Sequence, residues 1–140
     1  MSSDIANNTH EIKLHDLLKE GEEFARVVYH DAEYAQLPKD QELRVQLYTT
    51  EIAPGGATPW HMHNGAGLFL VTRGRIRVEC RDTGEVFNYS AGEVLFEPVG
   101  LVHRGVNPDP EQNYFGIGVK FCRPGLEHDL PVEVEHVVHE

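Results

Sequence analysis

From residue 43 onward, short apolar-rich runs alternate with turn-forming residues, a layout that predicts strands rather than helices. The runs are residues 43–52, 67–72, 75–81, 85–89, 93–96 and 114–121. Between them stand Pro54-Gly55-Gly56, Arg73-Gly74, Asp82-Thr83-Gly84, Ala91-Gly92, Pro98-Val99-Gly100 and Asn107-Pro108-Asp109-Pro110. Each is a turn signal. The run from Arg75 alternates cleanly, with Ile76, Val78 and Cys80 on one face and Arg75, Arg77 and Glu79 on the other. That is the pattern of a strand buried on one side. Residues 24–30 are also rich in β-formers, and 37–40 read as a turn. Residues 11–21 predict a short N-terminal helix or turn, with Ile12, Leu14, Leu17 and Leu18 as its apolar side and Gly21 as its stop. After Pro131, Val132 and Val134 alternate with Glu133 and Glu135, which suits an edge strand or a frayed tail. Regularly spaced short strands predict an all-β sandwich or barrel.

Composition narrows this without redirecting it. The 140 residues give room for one domain, and no linker or internal repeat divides them. The expected organisation is a single domain over 1–140, with a barrel core at about 43–121 and extensions at both ends. A net charge of -11 opposes binding to nucleic acid or an anionic membrane, since phosphate contacts need Lys and Arg. No apolar run approaches the roughly 18–20 residues that span a bilayer, and residues 1–10 lack a basic-then-apolar leader pattern. With Cys80 and Cys122 as the only cysteines, free buried thiols and a cytoplasmic location are expected.

The chemistry concentrates in histidine. His61 and His63 stand at i and i+2, so on a strand they project from one face roughly 7 Å apart along the backbone. Neutral imidazoles at that separation can converge on one ion. Alone, the pair is a weak signal, and two exposed histidines would look the same.

The surrounding spacing is more specific. Gly55, five residues, His61, one residue, His63, three residues, Gly67, six residues and Gly74 resemble the first motif of the cupin superfamily. Gly92, five residues, Pro98, Gly100, two residues, His103, three residues and Asn107 resemble the second. The resemblance covers roughly residues 43–121 and implies a cupin double-stranded β-helix, a jelly-roll barrel. It implies that His61, His63 and His103 hold one divalent metal ion inside it. Gly55, Gly74, Gly92 and Gly100 would occupy tight turns, and Asn107 would brace the turn before the next strand. One departure stands out. The family's first motif usually supplies a glutamate with three or four residues between it and the second histidine, and those places here are Gly67 and Leu68. The implied site is therefore three neutral imidazoles, as in catalytic zinc sites and in three-histidine iron dioxygenases of the superfamily.

Two residues enter as catalytic candidates, Glu97 and Tyr114. Glu97 precedes Pro98, where a carboxylate either binds the second N–H of a ligand histidine or turns outward. Tyr114 is either a phenol near the metal or a strand-end residue at the barrel mouth. Arg44, Gln46 and Tyr48 share one face of their strand, looking either into the barrel or to solvent; Ile52 falls on that face too, unless the strand bulges. Trp60 and Phe69 read as pocket wall or core, Glu51 and Glu93 as solvated charges, and Cys80 as an inert core thiol or one facing the cavity. His10, His15, His30, His128, His136 and His139 read as surface residues. The leading functional expectation is a mononuclear Fe(II) dioxygenase acting on a small organic substrate. The alternatives are an isomerase, lyase or hydrolase using Zn, Mn or Ni, and a non-catalytic small-molecule-binding cupin. A homodimer is expected, with neither nucleic acid nor membrane as partner.

Overall fold

The computed structural model describes residues 12–13, 15–34, 43–97, 99–123, 125 and 129–131. Among them are ten strands and no helix: β1 (Phe24–Tyr34), β2 (Leu43–Ile52), β3 (His61–His63), β4 (Gly67–Arg73), β5 (Arg75–Cys80), β6 (Val86–Ser90), β7 (Val94–Phe96), β8 (His103–Val106), β9 (Tyr114–Cys122) and β10 (Asp129–Pro131). They form two five-stranded sheets in the orders β1-β2-β9-β4-β7 and β10-β3-β8-β5-β6. The strand pairs are antiparallel. This is the expected all-β double-stranded β-helix.

The alternation read from the sequence becomes the core. In β5, Ile76, Val78 and Cys80 are buried, and in β4 Phe69 and Val71 are buried while Leu68 and Leu70 face out. Tyr48, Ile52, Phe69, Val71, Ile76, Leu95 and Tyr114 pack into one cluster between the sheets. Two inward positions of β9, Gly116 and Gly118, must be small because aromatic rings lie on them. A Cβ at Gly118 would sit 2.3 Å from the Tyr48 ring, and one at Gly116 2.1 Å from that of Phe69. Gly55, Gly74, Gly92 and Gly100 all take positive φ at their turns, as expected of tight left-handed corners. Asn107 is fully buried; its amide donates to the Ile52 and Gln112 carbonyls and accepts from the Asp109 amide.

Several expectations need correction. Of the helix or turn expected over 11–21, the described residues show the turn, at Glu20–Gly21, and no helix. Asp16 has a φ of 61°, which no right-handed helix accommodates. The Leu17 and Leu18 amides donate to Glu51 Oε1 at 2.8 and 3.1 Å instead of to a helical ladder. Glu51 is accordingly not solvated: it is buried, and its Oε2 accepts from Asn113 Nδ2 at 2.7 Å. Glu93 is exposed and caps the Ser90 amide. β2 does not bulge. Its register with β9 runs unbroken from Arg44↔Cys122 to Ile52↔Tyr114, and the irregularities fall in β1 and β4. Leu14, the turn at 37–40, Pro98, His10, His128, His136, His139 and the alternating tail after Pro131 lie outside the described residues.

Candidate metal centre

The chain reaches β3 from the Pro54-Gly55 turn, and β3 is only three residues long. It is held between β8 and β10. Its register sets His61 directly opposite His103, which puts the third imidazole beside the first two. The three ring centroids lie 4.5–4.8 Å apart. His63 and His103 are buried, and His61 is half-buried.

Backbone carbonyls orient two of the rings. His61 Nδ1 lies 2.7 Å from the Pro59 carbonyl, and His103 Nδ1 lies 2.9 Å from that of Leu101. A proton on Nδ1 satisfies each contact and leaves the Nε2 lone pair free to ligate. His103 Nε2 and His63 Nε2 are 3.0 Å apart. One nitrogen from each of the three residues lies within 4.8 Å of the others, a cluster that could hold a metal ion. Neutral imidazoles at this spacing suit Zn, Fe or Ni.

Glu97 turns inward. Its Oε2 is 3.2 Å from His63 Nε2, and its Oε1 accepts a 3.1 Å hydrogen bond from the Tyr48 hydroxyl. Oε2 is buried and makes no hydrogen bond, which a cation beside it would satisfy. Tyr114 is fully buried rather than at a barrel mouth, and its hydroxyl oxygen makes no hydrogen bond of good geometry. Burial pushes its phenol well above the usual range; the nearby Thr50 hydroxyl opposes this, and the Glu97 charge adds to it. Tyr114 is therefore a neutral donor at physiological pH.

His61, His103, Glu97 and Tyr114 line one pocket, with Ile52, Phe69, Ile76, Val78 and Leu95 as its apolar walls. Of the β2 face left open by the sequence, Tyr48 points inward beside Thr50 and Ile52. Arg44 and Gln46 bind Asp31 near the other end of the strand. Phe69 is core as well as pocket wall, whereas Trp60 is half-buried under the Arg104 guanidinium at 4.5 Å. Cys80 lines a second pocket with Phe87, Tyr89 and Leu101. It is a free thiol, as is Cys122, and burial pushes its pKa up with a smaller push from Glu85.

Sequence reasoning passed over Arg26, Thr50 and Thr58, which supply polar groups to the histidine-lined pocket. The Arg26 guanidinium lies 5.0 Å from the Tyr48 ring and 5.5 Å from that of Phe24. The available signal was an arginine inside a run of β-formers, on the same strand face as Phe24.

Comparison with known proteins agrees with this architecture. The family model described as a cupin domain matches residues 48–115. Auxin-binding protein ABP19a of Prunus persica is 30% identical over 112 residues, covering 71% of this chain and 54% of that protein. The chain thus spans about half the length of the curated relatives it matches. A double-stranded β-helix protein from Klebsiella pneumoniae superposes with a TM-score of 0.60 at 20% identity, over 88% of this chain and 99% of that one. The polyketide cyclase RemF of Streptomyces resistomycificus gives 0.52 at 26% identity, over 68% and 72%.

Proposed function

The chain belongs to the cupin superfamily, and from that premise we propose that it is a mononuclear metal enzyme, foremost an Fe(II) dioxygenase, acting on a small organic anion. The observation that carries this reading is the convergence of His61, His63 and His103 beside an apolar pocket that also holds Arg26 and Tyr114. A divalent ion held by those histidines supplies Lewis acidity and, if it is iron, access to dioxygen chemistry.

The chain's own groups then divide the remaining work. Arg26 gives the pocket a fixed positive charge that favours an enolate, thiolate or carboxylate over a neutral ligand. Tyr114, held neutral, donates a hydrogen bond to a substrate oxygen. The aliphatic and aromatic walls take the apolar body of the substrate and exclude water. A dioxygenase places both oxygen atoms in its product and needs no external reductant.

A second reading, a metal-dependent isomerase, lyase or hydrolase using Zn, Mn or Ni, is favoured by the unsatisfied Glu97 oxygen. With Tyr114 as acid, that carboxylate would serve as a base. The two readings part on oxygen. Fe(II)-loaded protein should consume dioxygen with a member of a panel of β-diketones, thiols and catechols. Turnover of the panel in anaerobic buffer would favour the second reading instead. Ligand binding with no turnover under either condition would leave a non-catalytic small-molecule-binding cupin.

The proposal extends to assembly and setting. One domain over residues 1–140 forms a homodimer through the outer face of the β1-β2-β9-β4-β7 sheet. Leu68 faces Phe96, and Leu70 faces Val94, across that surface; all four are exposed. Free thiols at Cys80 and Cys122 accord with a reducing cytoplasm. No helix among the described residues is long and apolar enough to cross a membrane.

A further inference from the structure

Gly67 occupies the place where the superfamily's first motif would carry its glutamate, and its glycine character has no backbone cause. It is not among the glycines with positive φ, so a side chain there meets no conformational penalty. What a Cβ at 67 would meet is Glu97. Its nearest atom would be Glu97 Oε2 at 2.7 Å, followed by Glu97 Cδ at 3.4 Å and the Val119 carbonyl at an unstrained 3.5 Å. The space beside residue 67 is filled by a carboxylate that arrives from the neighbouring strand.

The sheet register explains how. β4 and β7 are antiparallel with Leu68 opposite Phe96, and the Glu97 amide donates to the Gly67 carbonyl at 3.0 Å. Residues 67 and 97 are therefore cross-strand neighbours, and neighbours across an antiparallel pair project to the same face of the sheet. A carboxylate moved from one to the other stays on the inner face. Glu97 Oε2 stands 3.2 Å from His63 Nε2, the same atom that lies 3.0 Å from His103 Nε2. Atoms sharing one ion at bonds of about 2.0–2.2 Å are separated by about 3.0–3.5 Å. The Tyr48 hydroxyl holds Oε1 and leaves Oε2, buried and without a hydrogen bond, as the ligating oxygen.

We infer that Glu97 is the fourth protein ligand of the metal centre, a carboxylate transposed across the sheet from position 67 to position 97. The inference rests on the metal-centre reading above and deepens it. The site becomes three imidazoles and one carboxylate, which lowers the net charge of a divalent centre by one. It also takes away the pocket's unsatisfied carboxylate as a free base, which favours metal-centred oxidation over proton transfer.

The test uses the full chain stripped with a chelator and titrated with Zn(II) and Co(II). Affinity is read by chelator competition, and coordination by the visible spectrum of Co(II). Glu97→Gln keeps the side-chain volume and an acceptor for Tyr48 but gives up the charge. It should weaken binding roughly 10- to 100-fold, on the scale of altered metal-site partners, and change the Co(II) spectrum. Glu97→Ala should do the same, and adding Gly67→Glu to it should bring affinity back to within a few-fold of wild type. Wild type and Glu97→Gln binding alike, with one Co(II) spectrum, would overturn the assignment and leave a three-histidine centre standing. A folded Glu97→Ala/Gly67→Glu double variant with no recovery would overturn the exchange between the two positions. Wild type taking up neither ion would remove the metal centre itself.

Discussion

At the scale of single residues, the site works by fixing lone pairs. Carbonyls of Pro59 and Leu101 take the Nδ1 protons of His61 and His103, so each ring presents Nε2 without rearrangement. The histidines were legible because their spacing is a property of the chain. Partners supplied by distant segments were not. Glu51 looked like a solvated strand-end charge, and nothing local in the sequence announces that the Leu17 and Leu18 amides and Asn113 return to it. Arg26 escaped for the same reason, since only the closed barrel shows that it reaches the pocket. Tyr114→Phe should lower kcat/KM by roughly 10²-fold for whichever panel compound supports oxygen uptake, while metal content stays unchanged. An equal loss of metal would assign Tyr114 a structural role instead. Cys80, with its pKa raised by burial, should resist alkylation at neutral pH in the native state and react once denatured. Rapid labelling of Cys80 in folded protein would contradict the packing described.

Among the elements, long alternating strands were readable and short ones were not. β2, β4, β5 and β9 have enough residues to show a period of two. β3, with three residues, and β8, with the sequence His-Arg-Gly-Val, are strands because they pair with each other and with β5 and β10. Of the helix or turn expected over 11–21, the described residues hold the turn, and the Leu17 and Leu18 amides donate to a carboxylate on β2 rather than to a helical ladder. The β1–β2 pair carries its own charge lock. Hydrogen bonds from Arg44 and then Gln46 hold Asp31 at a pKa of about 2, against an ordinary carboxylate value of about 3.9. A depressed pKa contributes stability that is fully present above about pH 4 and is lost as pH falls through about 2. Chemical denaturation between those values should therefore show a steeper loss in wild type than in Asp31→Asn. Parallel curves would mean that the pair is too solvated to matter. Asn107 joins the ends of β2 and β8 to the turn before β9. Asn107→Ala leaves the buried Ile52 carbonyl and the part-buried Gln112 carbonyl without their donor, and should cost about 2–4 kcal/mol in urea unfolding. A loss under about 0.5 kcal/mol, the size of an ordinary surface change, would show that water replaces the amide.

On the scale of the whole molecule, two motifs separated in sequence meet because the two sheets close over one core. The motif spacing foretold the barrel and its turns, down to the positive φ of Gly55, Gly74, Gly92 and Gly100. The order of strands in each sheet was not legible, and with it the adjacency of β4 and β7 that carries Glu97 into the centre. The outer face of the first sheet keeps Leu68, Leu70, Val94 and Phe96 in solvent, with Phe96 75% exposed. If a second copy covers it, sedimentation should give a dimer for wild type and a monomer for Leu68→Lys/Phe96→Lys. An unchanged dimer in that variant would place the interface elsewhere. Everything proposed for function depends on the three histidines holding an ion. The most direct measurement is elemental analysis of protein purified without added metal, alongside His103→Ala prepared identically. An ion held by the three histidines requires about one equivalent of a transition metal per wild-type chain, as for a mononuclear site, and almost none in the variant. Wild-type protein that carries no metal as purified and takes up none on reconstitution, or a variant that retains the full equivalent, would contradict it.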